Sequence, residues 1–432
     1  MNTQDNVMPI EEAKALKEAS DAIGKVIADL EKNDSGLDKG RIRNSTRNLA
    51  RIIENARLLL GFSAHYDEFL LETVLLSDKG RRPLDADAVT DVMRMLTDHE
   101  FRPYAKPKSS MYSIIQEPDR ERLKHVIKAV ARLNAIDSLR DWFCSLPEWD
   151  GVERVDRFFG HYVPCNDNPV YMAAVSRYFL TSLAGRAVCP GLKADAIPVL
   201  YGPQGTRKST MLEAIAPDFN WYANTEIDGE NKEVVRQRIG KMIVEYAEMD
   251  KMRPSDVQKI RRDLALRKDE NRRMKQDYYD QVPRRWMGCG TVNSQKFLVD
   301  ETGNRRFFPL TVTDKCLIDK FTSDREQVFA EALNIFNAEG NVPSWLTAEE
   351  LAKAAHEDYI DHDPWHGTIE MLLQSHPSQI SNRLLNEAVG LDVGRRDKKS
   401  AHRIRAIMTM LGWSEAKNIG PNKERGFRRN LP

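Results

Sequence analysis

Ala196-Ile-Pro-Val-Leu-Tyr-Gly-Pro-Gln-Gly-Thr-Arg-Lys-Ser-Thr210 is the stretch from which the rest of the chain can be read. Ile197 to Tyr201 is an apolar run and predicts a short buried strand. A Gly-rich turn follows, and Met211-Leu-Glu-Ala-Ile215 is compatible with a helix. Strand, Gly-rich turn and helix, with Lys-Ser at the helix start, is the context of a phosphate-binding loop. Small residues let backbone N–H groups turn toward phosphate oxygens, and the new helix adds free N–H groups and a positive dipole end. In such a loop Lys208 would reach the β- and γ-phosphates and the Ser209 hydroxyl would ligate Mg²⁺. The usual pattern is G-x-x-x-x-G-K-[ST], and Arg207 stands where its last Gly belongs. An ordinary Gly-rich turn beside a lysine is the competing reading, and the downstream pattern weighs against it.

A chain of 432 residues can bury a large core and divide into two or three domains. Lys+Arg and Asp+Glu are both 65, so no global field draws the chain to nucleic acid and any such surface is local. No apolar run approaches a membrane span, and Met1-Asn-Thr-Gln-Asp-Asn6 has neither the basic start nor the apolar core of a signal peptide. Cys144, Cys165, Cys189, Cys289 and Cys316 are far apart with no C-x-x-C, which suits unpaired thiols in a reducing cytoplasm and offers no zinc site.

Two further landmarks follow the loop. In Gly240-Lys-Met-Ile-Val-Glu-Tyr-Ala-Glu-Met-Asp250, a strand from Met242 to Val244 delivers Glu245, with Glu248 close behind. A carboxylate at such a strand end can hold Mg²⁺ through water and polarise an attacking water. Trp286 to Asn293 predicts a strand ending in an amide that could orient that water, and Arg305-Arg306 lead into a strand from Phe307 to Val312. Arginine's planar charge matches phosphoryl oxygens; the competing reading is a structural ion pair. Between the landmarks, residues 253–286 are highly charged. Arg272, Arg273 and Lys275 with Tyr278 could track a single strand by phosphate contact and base stacking, against a solvated helix as the alternative.

The N-terminal part reads as mostly helical. Leu49, Ile52, Ile53, Ala56, Leu59 and Leu60 form one stripe, with Asn44 or Ser45 as cap and Gly61 as stop. Glu72 to Ser77 is a strand candidate, Asp85 caps a helix to about Met95, and another helix begins near Pro118. A helix packing Val155, Phe158 and Phe159 follows the Asp150-Gly151 turn, and Tyr171 to Ala187 is a long helix.

With these landmarks the chain resembles the virulence-associated protein E family of phages, prophages and phage satellites, which is related to superfamily 3 replicative helicases. The matching stretches are Trp149-Asp-Gly-Val-Glu-Arg154, Pro190-Gly-Leu-Lys-Ala-Asp195, Gly202 to Thr210, Val244-Glu-Tyr-Ala-Glu-Met249, Gly290-Thr-Val-Asn293 and Asp300 to Pro309. The resemblance implies an ATP- and Mg²⁺-dependent DNA helicase or translocase acting in replication as an oligomeric ring, by analogy a hexamer. It implies a nucleotide cradle of Gly202, Pro203, Gln204, Gly205, Thr206, Arg207, Lys208, Ser209 and Thr210. Metal and water fall to Ser209, Glu245 and Glu248, sensor 1 to Asn293, and an arginine finger to Arg305 or Arg306. DNA and a primase or replication initiator are the expected partners, in a bacterial cytoplasm. Arg207 departs from the family pattern, as does the lack of Pro-Tyr after Arg272–Arg273. The first 140 residues show no zinc ligands and no paired-carboxylate primase signature, so the chain looks like the helicase portion alone. The alternative is a DNA-binding or interference protein with a degenerate loop.

From Pro377 onward there are twelve Lys and Arg against five Asp and Glu. Helix, turn, helix and basic hairpin make a winged-helix pattern, with Arg403 and Arg405 on or beside the recognition helix and Arg428 on the wing; a small packing domain with a soluble basic face is the competing reading. His356, His362 and His366 among acids read as an exposed linker rather than a metal site. The expected fold class is thus an α/β P-loop NTPase core (AAA+, superfamily 3 helicase-like) over 141–345. A helical domain over 1–140 precedes it, and a linker (346–376) and a small winged-helix-like domain (377–432) follow.

Overall fold

The computed structural model describes residues 10–34, 42–98, 118–225, 232–251, 254–272, 279–295, 297–298, 304–359, 364–392, 397–419 and 423–429. The chain divides into two compact units, Met1–Leu146 with Ile239–Lys241, and Pro147–Arg238 with Met242–Pro432.

The first unit packs helices on a small mixed sheet. It runs α1 (Ile10–Ala28), α2 (Thr46–Glu54), α3 (Ala56–Leu59), β1 (Phe62–Asp67), β2 (Glu72–Ser77), β3 (Gly80–Pro83), α4 (Ala86–Asp98), α5 (Arg120–Leu133), β4 (Ala135–Ile136) and α6 (Ser138–Cys144). The sheet order is β3-β2-β1-β4. The stripe from Leu49 to Leu60 is buried, but Asn55 breaks it into α2 and α3. Ser45 caps α2 by accepting from Asn48 N, and Asp85 accepts from Ala88 N ahead of α4. The helix expected near Pro118 starts at Arg120, because the Asp119 carboxylate is its N-cap. The expectation of a mostly helical domain overlooked β1, β3 and β4; β3, Gly-Arg-Arg-Pro, has no apolar side chain to announce a strand.

The second unit holds a five-stranded, all-parallel sheet of order β11-β5-β10-β7-β6. Its elements are α7 (Pro169–Val188), β5 (Ile197–Tyr201), α8 (Lys208–Ile215), β6 (Tyr222–Asn224), α9 (Lys232–Arg238), β7 (Ile243–Tyr246), α10 (Pro254–Leu264), β8 (Lys268–Arg272), β9 (Tyr279–Pro283), β10 (Met287–Val292), β11 (Phe307–Thr311), α11 (Ile318–Glu339) and α12 (Val342–Tyr359). β5 is a continuous apolar run, and β7 and β10 are buried at every position although they carry Glu245 and Thr291, as strands covered on both faces are. α7 is buried around nearly its whole circumference and is started by Asn168, which accepts from Val170 N and Tyr171 N, with Pro169 in the first turn. The helix expected at 155–159 is instead a 3₁₀ turn followed by a π turn bent at Gly160, and it still buries Val155, Phe158 and Phe159.

Several charges of segment 253–286 are interior rather than solvated. Arg284 pairs with Asp263 and Asp269, Arg238 with Asp263 at 2.5 Å, and Trp286 Nε1 donates to Asp269 at 2.9 Å. Arg261 is buried against Asn304 Oδ1 at 2.7 Å. A buried ion is tolerated only when paired and hydrogen-bonded, and this cluster meets that condition while tying β8–β9 to α9 and α10. Arg186 reaches the carbonyls of Leu192, Ala194 and Trp286; burial pushes its pKa down to about 10.

The linker expected over 346–376 is not one. α12 continues to Tyr359, and α13 (His366–Gln374) buries Ile369 and Leu373. The histidines and acids suggested exposure, but Ile369, Leu372 and Leu373 of α13 pack into the C-terminal core while Met371 stays exposed. α13 joins β12 (Gln379–Ser381), α14 (Asn382–Ala388), α15 (Lys398–Met410), β13 (Trp413–Ile419) and β14 (Glu424–Arg429) around a separate core of Ile380, Leu385, Ile404, Ile407, Met408, Trp413 and Phe427. Its sheet is antiparallel, of order β12-β14-β13. Among the described residues, no helix is long and apolar enough to cross a membrane.

Candidate functional site

In parallel sheets, sites form where loops leave the carboxyl ends of the strands. Here β5 and β7 flank β10, and the register sets Tyr201 opposite Val292 and Tyr246 opposite Gly290, so three strands end side by side. The loop from Gly202 to Arg207 leaves β5 and enters α8. Gly202 has no alternative: a Cβ there would lie 2.5 Å from Val312 O. Pro203, Gln204, Gly205, Arg207, Ser209 and Thr210 are exposed, whereas Thr206 and Lys208 are buried. The Thr206 hydroxyl donates to Pro203 O at 2.9 Å, and Thr206 O accepts from Cys316 N at 3.0 Å.

The Lys208 ammonium is folded into this loop. Nζ lies 2.6 Å from Gly202 O, 3.0 Å from Pro203 O, 3.4 Å from Thr206 Oγ1 and 3.3 Å from Asn293 Oδ1. Lys208 and Asn293 therefore meet, with Ser209 next to Lys208 at the start of α8. Arg207 adopts φ 61, ψ 33 at the start of α8, the left-handed conformation that glycine occupies without strain. At the far end of α8, Arg325 donates to Ala214 O and Ala216 O, both at 3.1 Å, so a cation sits at the negative end of the helix dipole.

Glu245 completes the cluster, though inside β7 rather than after it, and wholly buried. Oε1 accepts from Ser209 Oγ at 2.8 Å and from Thr291 Oγ1 at 2.6 Å, and Oε2 accepts from the Tyr222 hydroxyl. Burial and that carboxylate raise the Tyr222 phenol well above its ordinary range. Ser209 donates its proton to Glu245, which leaves its oxygen lone pairs able to accept or to ligate. One hydroxyl and one carboxylate are hard oxygen donors, the set that suits a Mg²⁺ keeping most of its ligands as water and phosphate. Among the described residues no group of three or more His, Cys, Asp or Glu could hold a metal ion by itself. His356 instead faces Phe307 O at 2.8 Å, His366 lies 3.9 Å from Glu370, and His362 lies outside the described residues.

Glu248 does not join Glu245. It is exposed at φ 52 and pairs with Lys251 at 2.8 Å. The paired arginines also diverge. Arg306 Nη1 donates to Arg261 O at 3.0 Å, with Nε 3.7 Å from Asp195, whereas the Arg305 side chain is 64% exposed, with Glu349 at 3.8 Å. In the C-terminal part, Arg403 stacks on Trp365 at 3.7 Å and Arg405 pairs with Glu415, while Arg428 is exposed. Arg272 ends β8, and Arg273, Lys275 and Tyr278 lie outside the described residues. Tyr222 and Thr291 were not foreseen; both reach Glu245 through strand pairing that no local pattern encodes.

The class these features define is a mixed α/β protein with a parallel sheet and a polar cluster at its carboxyl edge. The virulence-associated protein E-like domain model matches residues 143–362, and the chain belongs to that family. Among solved structures, the A-form apo structure of the NrS-1 C-terminal region (305–718) is similar at 13% identity and TM-score 0.45, covering 88% of this chain and 99% of that one. The apo structure of the same region is similar at 11% identity and TM-score 0.47, covering 88% and 98%. No curated protein matches the chain.

Proposed function

We propose that the chain is an ATP- and Mg²⁺-dependent DNA helicase or translocase of a phage-related mobile element, built on a P-loop NTPase core and working as an oligomeric ring in replication. The observation that carries this reading is the convergence of Lys208, Ser209, Glu245 and Asn293 at the ends of neighbouring parallel strands. In this reading Lys208 exchanges its loop carbonyls for phosphate oxygens, and Ser209 and Glu245 orient the metal. Asn293 holds the attacking water, Glu248 approaches from its exposed turn, and Arg305 reaches a neighbouring subunit. The C-terminal sheet and helices are read as a winged helix presenting Arg428, with the β8–β9 hairpin as a second DNA contact. A bacterial cytoplasm and a primase or initiator partner belong to the same proposal. Arg207 in the left-handed region favours one second reading, a DNA-binding or interference protein whose loop does not turn over. Steady-state ATPase with and without single-stranded DNA separates them. Turnover that DNA stimulates and Lys208→Ala reduces at least about tenfold supports the motor; parental turnover equal to that of Lys208→Ala removes it.

A further inference from the structure

Glu245 is a carboxylate with no exposed surface, and each of its oxygens is held by a hydroxyl rather than by a cation. Two of the three hydroxyls have plain sources: Ser209 opens α8 and Thr291 lies on the adjacent β10. The third comes from the opposite side. Tyr222 begins β6, the strand paired with β7 on the flank away from β10, and its ring places the hydroxyl on Oε2. A carboxylate fixed at one oxygen only can rotate about its last bond. Fixed at both, its plane is set, and Oε1 stays aimed at Ser209.

We infer that Tyr222 is a positioning residue for the metal: it holds the Glu245 carboxylate so that Oε1 fixes the Ser209 hydroxyl, whose oxygen then faces a cation beside the Lys208 loop. The inference rests on the proposed nucleotide site and deepens it. It assigns Tyr222 no contact with nucleotide. Its effect passes through Glu245, so it belongs to the Mg²⁺-dependent part of binding and not to the part Lys208 supplies. Removing the hydroxyl leaves a buried oxygen one donor short and frees the carboxylate to turn.

The test is equilibrium binding of a non-hydrolysable ATP analogue to the full chain, with Mg²⁺ and with chelator, in the parent, Lys208→Ala, Tyr222→Phe, Glu245→Gln and Tyr222→Phe/Glu245→Gln. The parent is expected to bind the analogue through Lys208 in chelator and to bind it more tightly with Mg²⁺. Tyr222→Phe is expected to keep its chelator affinity within about twofold and to lose most of the Mg²⁺ enhancement, a change of about fivefold to tenfold. In the Glu245→Gln background the same change is expected to add nothing, because residues acting through one group are not additive. A parental Mg²⁺ enhancement in Tyr222→Phe overturns the inference. So does a further loss in the double variant, which also serves if the single variant does not fold, since a neutral amide is not left as an under-bonded charge. Binding that Lys208→Ala does not weaken removes the nucleotide site itself, a failure distinct from that of Tyr222.

Discussion

Replacing Arg207 by glycine separates backbone strain from side-chain function in the loop. Arg207 sits at φ 61, ψ 33 with its side chain exposed. A left-handed residue bearing a Cβ costs about 1–2 kcal/mol. Glycine removes that cost but gives the unfolded chain freedom worth about 0.5–1 kcal/mol. The difference leaves Arg207→Gly more stable by about 0.5–1 kcal/mol, or roughly 1–4 °C in the melting midpoint of a unit this size. Arg207→Ala keeps the Cβ and the strain, so its midpoint should stay with the parent's. Arg207→Val, β-branched at the same φ, should fall below both. Differential scanning calorimetry on the four proteins reads all of this. A glycine variant that melts at or below the parent refutes the strain argument. An alanine variant that rises as much as glycine shows that the side chain, not the backbone, carried the cost. ATPase on the same proteins adds the functional half. If the parent is as inactive as Lys208→Ala while Arg207→Gly turns over, the strained loop has switched off a motor, and the binding-protein reading takes its place.

The two neighbouring arginines should separate cleanly. Arg306→Ala should destabilise by about 1–3 kcal/mol, because it strips a hydrogen bond from Arg261 O in a partly buried setting. Arg305→Ala should melt within about 0.5 kcal/mol of the parent, as exposed substitutions do; if Arg305 acts across subunits, it should abolish turnover, and mixing with Lys208→Ala should restore part of it. No rescue in demonstrably mixed assemblies refutes the shared site. His356 predicts a pH response. Burial lowers its pKa from the ordinary 6.5, so near and below that pH the unfolded chain binds a proton that the folded chain refuses. Its contribution to stability is therefore present above about pH 6.5 and is lost as pH falls toward the folded value, at no more than about 1.4 kcal/mol per pH unit. His356→Gln, which cannot titrate, should flatten that part of a melting-versus-pH curve; an unchanged slope would remove His356 as its source.

What the sequence disclosed about this chain was whatever is local. β5, its loop and α8 are contiguous, and the apolar runs ending near Glu245 and Asn293 are visible as strands because parallel strands covered on both faces do not alternate. Tyr222 was invisible because nothing near it in sequence says that β6 lies beside β7. Arg284 and Arg261 read as surface charge because their partners, the Asp263 and Asp269 carboxylates and the Asn304 amide oxygen, meet them only in the folded unit. Glu248 parts from Glu245 for a different reason. Three residues beyond Glu245, it shares a face with it on any helix, but β7 ends between them and the chain turns through φ 52 at Glu248. The two carboxylates therefore meet different environments, one buried among hydroxyls and one exposed beside Lys251. Both Glu245 oxygens are already engaged by hydroxyls and the side chain has no exposed surface, whereas Glu248 is open to water. If the site hydrolyses ATP, we propose from that difference in surroundings that Glu245 orients the metal and Glu248 takes the proton, a division that the three-residue spacing alone could not have made.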